Sequence, residues 1–181
     1  MQGKNHVATN TAILLATISF SSSLPVITER LMPNEPTIIT GITYSVIGYF
    51  CFVFGSLLPD IDTPHSTLGE YLYIPVQHRT WTHSIWFILL FVWLGTKNRF
   101  FAWMAIGVIL HILIDVFSYS GLNIFYPISF RRSKAADGHI FRFYKVGGST
   151  EYIFMTFIFC ISIYLIGRYG ILGKGIVNFW A

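Results

Sequence analysis

GSLLPDIDTPHSTLGEYLYIPVQHRTWTHS, residues 55–84, is a polar connector between two apolar segments. It carries Asp60, Asp62, His65, Glu70, His78, Arg79 and His83 in a chain of 181 residues of which only 11% are charged. A soluble domain holds about 25% charged residues. The chain has too few charges to cover a surface facing water. With 54% hydrophobic and 18% aromatic residues, most of it is solvated by lipid.

Working outward, Pro59 closes the uncharged segment Thr37–Leu58, because proline cannot continue a helical ladder. A third segment, Thr80–Thr96, starts inside the connector and is short for a full crossing. Lys97 and Arg99 make a tight turn into a fourth, Phe100–Ser120. A first segment runs from Val7 to Thr28 and a fifth from Tyr152 to Leu172, with Arg168 placed to snorkel. Spanning helices need about 20 apolar residues, so the expected fold is all-α, a polytopic membrane bundle of about five transmembrane helices. It forms a single domain over residues 1–181. Asp137–Gly138 marks a short β-hairpin or irregular loop between the last two helices. A cleaved signal peptide is the rival reading of the first segment. Cys51 and Cys160 lie in apolar segments with no CxxC spacing, so no disulfide framework is expected.

The loop Gly121–Thr150 sets Arg131, Arg132, Lys134, Arg142 and Lys145 against Asp137 alone. The positive-inside rule places such a loop in the cytoplasm. Five crossings then bring His6, Asp60, Asp62, His78, His83, His111, Asp115 and Glu151 to one face of the bacterial inner membrane, the cytoplasmic one. Carboxylate oxygen and imidazole nitrogen together suit a divalent metal, zinc foremost with manganese an alternative. His111 and Asp115, four residues apart, share one helical face. A buried His–Asp hydrogen bond would use the same spacing structurally. Asp60 and Asp62 also read as turn and cap residues, and Glu151 as a helix-start carboxylate. Eight candidate ligands exceed one zinc's needs, so two ions are expected if all take part, within a range of one to three. Arg79, close to the metal, points to an anionic substrate or to a lipid headgroup. Basic and aromatic residues next to a membrane read as headgroup contacts, so no nucleic-acid partner is expected.

At His6, LLPDID (Leu57–Asp62), HRTWTHS (His78–Ser84), HILIDVFSYSG (His111–Gly121), Pro127 and Glu151, the chain resembles the YdjM-like family of membrane-bound metal-dependent hydrolases. The resemblance implies, through a more distant similarity to zinc-dependent phospholipase C and P1-type nucleases, a helical metal core acting on phosphoesters. With no G-x-S-x-G elbow, HExxH motif or Gly-rich phosphate loop present, metal-activated water is the expected nucleophile. Asp62 would steer its proton and Arg79 would steady developing negative charge. The substrate class expected is a small-molecule or lipid phosphoester, and membrane lipids are the expected partners. Two other classes remain open from the residues alone. One is a transporter or proton relay through His111 and Asp115. The other is a structural metalloprotein.

Overall fold

The computed structural model describes residues 3–21, 38–120, 122, 124–128 and 143–169. Five α-helices are present among them: α1 Gly3–Ser21, α2 Ile38–Leu57, α3 Ile85–Lys97, α4 Arg99–Val116 and α5 Ser149–Tyr169. Two short 3-10 turns, Leu58–Asp62 and Trp81–His83, bracket the polar connector. Both harbour candidate ligands.

Three helical stretches, Thr43–Asp62, Arg99–Val116 and Ser149–Tyr169, are long and apolar enough to cross a membrane. The count of five crossings expected from the sequence is not reproduced by length and composition, for reasons visible in the other two helices. α3 has 13 residues, about 20 Å of rise against a hydrocarbon core of about 30 Å. α1 opens on the polar residues Asn5, His6, Thr9 and Asn10, all buried. This half of α1 faces the protein interior.

Each boundary has a local cause. Pro59 stands within the first 3-10 turn directly after α2, where its missing N–H costs nothing. Asn98 ends α3 and also starts α4, where its side chain accepts from Phe100 N at 2.8 Å. That single residue makes the turn between Lys97 and Arg99. The hairpin expected around Asp137–Gly138 lies outside the described residues. After that stretch, Tyr144 forms an isolated parallel bridge with Ser118 beyond α4. Tyr119 N donates to Tyr144 O at 2.8 Å, and Phe143 N donates to Phe117 O at 3.0 Å. Cys51 and Cys160 are free thiols.

α4 is the central helix, packed on α2 along one side and on α3 along another, while α1 packs on α5. Lipid chains are as apolar as leucine, so packing and small residues, not exclusion from water, hold such helices together. Gly55 and Gly107 show this. A Cβ on Gly55 would lie 2.2 Å from Met104 O, and one on Gly107 would lie 2.3 Å from Phe52 O and 2.6 Å from Ser56 N. The two backbones touch where α2 turns into the polar connector, which brings Asp60 within reach of His111. Gly107→Ala is therefore expected to destabilise by about 1–3 kcal/mol through overpacking, read as a lower Tm in detergent. Gly167→Ala, with no atom within 4 Å of the added Cβ, is expected to leave the Tm unchanged or slightly raised.

Candidate metal centre

Asp62 organises the connector. Its Oδ2 accepts from Thr82 Oγ1 and, at 3.3 Å, from the backbone N of Arg79. Its Oδ1 accepts from Thr63 Oγ1 at 3.2 Å and lies 2.6 Å from His78 Nδ1. A carboxylate only accepts, so His78 Nδ1 carries a proton. Arg79 has φ 63°, a left-handed conformation unusual for a residue with a side chain. It turns the chain so that the backbone N meets Asp62 while the guanidinium reaches Asp115 Oδ2 at 3.0 Å and Ser118 Oγ at 3.2 Å.

Beneath this loop four more imidazole–carboxylate contacts follow. The His6 and His111 rings stack with centroids 3.8 Å apart, and His83 meets His111 edge-on at 5.3 Å. His6 Nε2 lies 3.2 Å from Asp115 Oδ1. His111 Nδ1 is 2.7 Å from Ser56 O. A carbonyl can only accept, so this nitrogen holds a proton. His111 Nε2 is buried and has no hydrogen-bond partner among the described residues, and the same holds for His83 Nε2. Both aim at one carboxylate: Asp60 Oδ1 is 3.6 Å from His111 Nε2 and 3.7 Å from His83 Nε2. Asp115 Oδ2 stands 3.8 Å from His83 Nε2.

Ligands at the zinc distance of about 2.0–2.1 Å in a tetrahedron stand roughly 3.4 Å apart. Asp60 Oδ1 already stands at nearly that spacing from His83 Nε2 and His111 Nε2, which have no hydrogen-bond partner among the described residues. Two further groups of potential ligands, His6–His111–Asp115 and Asp62–His78–His83, share residues with this one. The result is one continuous cluster. Burial, with His111 acting in the same direction, pushes the His83 ring well below the ordinary imidazole range, which keeps it neutral and fit to ligate. Charge balance agrees. Among the described residues three carboxylates, Asp60, Asp62 and Asp115, face one guanidinium, Arg79. That excess of acid favours a cation, and the residues fit a divalent ion.

Seven of the eight residues expected to bind metal come together here. Glu151 is not part of any of the three groups. Its Oε1 accepts from Asn5 Nδ2 at 2.7 Å and its Oε2 from Gly147 N at 2.7 Å, so it ties α1 to α5 beside His6. Asp62, expected to steer a proton, has its oxygens taken up by four donors. His65 and Glu70 are exposed, as their loop position suggests.

Several members had no signal in the sequence. Tyr144 is fully buried, its hydroxyl donating to Ile114 O at 3.2 Å and to Asp115 Oδ1 at 3.3 Å. Burial first, and then Asp115, push its phenol above the ordinary range, so it remains a donor. It comes from a loop whose composition reads as headgroup contact. Thr82 sits inside the HRTWTHS run, where the histidines draw attention away from it. Asn5 finds Glu151 from 146 residues away.

The arrangement defines a helical membrane protein with a buried His/Asp cluster able to hold a divalent ion. The chain belongs to the YdjM inner membrane protein family, whose model matches residues 1–172. No curated protein and no solved structure matches it.

Two outcomes follow. A buried neutral histidine binds no proton in the folded state but does so when unfolded, below about pH 6.5. The metal-free protein should therefore lose stability as pH falls through about 6.5, and His83→Gln should flatten that slope; thermal unfolding in chelator across this range reads both. Glu151→Gln should keep the parent's bound-metal stoichiometry by elemental analysis.

Proposed function

We propose that this protein is a metal-dependent hydrolase of a phosphoester, working at the cytoplasmic face of the inner membrane. The carrying observation is the pair of unpartnered, buried nitrogens, His83 Nε2 and His111 Nε2, converging on Asp60 Oδ1. Asp60, His83 and His111 would hold the ion, with Asp115 and His6 completing the cluster. A divalent ion held there supplies a nucleophilic water at neutral pH and polarises a phosphoryl oxygen. Zinc suits the donor set best.

The chain's own groups fit the remaining roles. The cluster opens on the loop side, where His78 is 41% exposed, Arg79 16% and Asp60 13%. His78 stands at this opening while Asp62 holds its Nδ1. A histidine oriented by a carboxylate is the ordinary design of a general base. The proton-steering role expected of Asp62 passes to His78 at Nε2, and Asp62 becomes its orienter. Arg79, anchored on Asp115 and Ser118, sets a fixed positive charge beside the cluster, suited to the oxygens of a phosphoester.

Elemental analysis of detergent-purified protein should find stoichiometric zinc or manganese, lost in Asp60→Ala and in His111→Ala. His78→Ala should retain the metal but hydrolyse a soluble phosphodiester about 10²–10⁴-fold more slowly. Arg79→Ala should cost about 10²–10³ in kcat. A folded parent that takes up neither ion after reconstitution would contradict the proposal. A metal-loaded parent that turns over no phosphoester would leave the ion a structural role.

A further inference from the structure

The connector carries a second feature that the cluster does not use. Tyr71, Leu72, Tyr73 and Ile74 are consecutive and exposed, Tyr71 at 82%, and Trp81 between Arg79 and His83 is exposed at 50%. The stretch is fixed in place by its backbone: Ile74 N donates to Ile61 O at 3.1 Å, on the residue between Asp60 and Asp62. Ser66 Oγ donates to Asp60 O at 2.7 Å and accepts from Gly69 N at 2.9 Å. Trp81 packs edge-on against Tyr126. An ordered run of this kind is costly in water, and tyrosine and tryptophan favour the level of lipid headgroups.

Helix lengths give the depth independently. The polar turn Lys97–Asn98–Arg99 joins α3 to α4 at the end away from the cluster, and its charges belong at the far membrane interface. α3, about 20 Å long, ends about 10 Å short of crossing a core of about 30 Å. His111 and Asp115 stand about 18 and 24 Å along α4 from Arg99, at about 1.5 Å per residue. Both helices therefore place the cluster roughly 6–12 Å inside the near hydrocarbon boundary. Tilt of the helices would sink it further. The turn that holds Trp81 leads directly into α3, on which Trp86, Leu89, Leu90 and Trp93 are also exposed.

We infer that Tyr71–Ile74 and Trp81 are immersed in the near leaflet, and that the cluster below them draws its substrate from the bilayer as a lipid phosphoester. The substrate half rests on the hydrolase reading above; the depth does not. A headgroup entering from the leaflet passes the loop to meet Arg79 and His78, while its chains stay among the exposed aromatic and aliphatic side chains. The occupant of this surface is the lipid leaflet.

A nitroxide at Leu72→Cys, on a Cys51→Ala, Cys160→Ala background in phosphatidylethanolamine–phosphatidylglycerol vesicles, tests the depth. Collision with oxygen should exceed collision with a water-soluble nickel chelate, and a label at His65→Cys should show the reverse. Equal access of the chelate to both positions would overturn the inference and leave the patch to a protein partner. The same vesicles and a soluble phosphodiester, each given to the zinc-loaded parent, test the substrate. Preferential cleavage of the vesicle lipid supports the inference. Cleavage of the soluble diester alone overturns the lipid assignment while sparing the hydrolase reading. Cleavage of neither, with the label immersed, overturns both readings of chemistry and leaves the membrane contact standing.

Discussion

The site depends on one carboxylate that does not need to touch a metal. Asp62 gathers Thr63, His78, the Arg79 backbone and Thr82, and so joins two 3-10 turns separated by the long loop of residues 63–80. Without that junction His83 would have no reason to face Asp60, and Arg79 none to adopt a left-handed backbone. Buried carboxylates are tolerated when hydrogen bonds satisfy their oxygens. Asp62 is satisfied by the protein. Asp60 meets two imidazole nitrogens across gaps too long for hydrogen bonds, which suits a carboxylate that has an ion to bind.

The same low dielectric explains why the arrangement is built around neutral histidines and a single guanidinium. An unpaired charge in such a place costs several kcal/mol or changes protonation. Burial keeps His83 uncharged, the Ser56 carbonyl selects the His111 tautomer, and Arg79 offsets part of the negative charge. The excess of carboxylates over guanidinium among the described residues is the electrostatic argument for a divalent cation.

Much of the architecture was legible in the sequence because apolar length and charge scarcity act locally. Four of the five segments expected from it correspond closely to α2–α5, and Pro59 and the Lys97–Arg99 turn mark their boundaries. α1 was legible as a helix, but its polar half could be understood only once His6 was seen stacked on His111. The convergence of His6, Asp60, Asp62, His78, His83, His111 and Asp115 was accessible through topology alone, since each lies at the same end of its segment. Their division of labour was not. Whether a carboxylate is saturated by donors, as Asp62 and Glu151 are, depends on side chains such as Thr82 and Asn5 that have no distinguishing pattern. Tyr144 was hidden for a related reason: a loop's composition reports where it lies on average and says nothing of the one residue that turns inward.

The central claim is that histidines from separate segments and Asp60 share one ion. X-ray absorption of the zinc-loaded protein tests it most directly. The account predicts a first shell of nitrogen and oxygen at about 2.0–2.2 Å, with the outer-shell scattering of at least two imidazoles, reduced by one imidazole in His111→Ala. A shell without imidazole scattering, or one unchanged in His111→Ala, would contradict it.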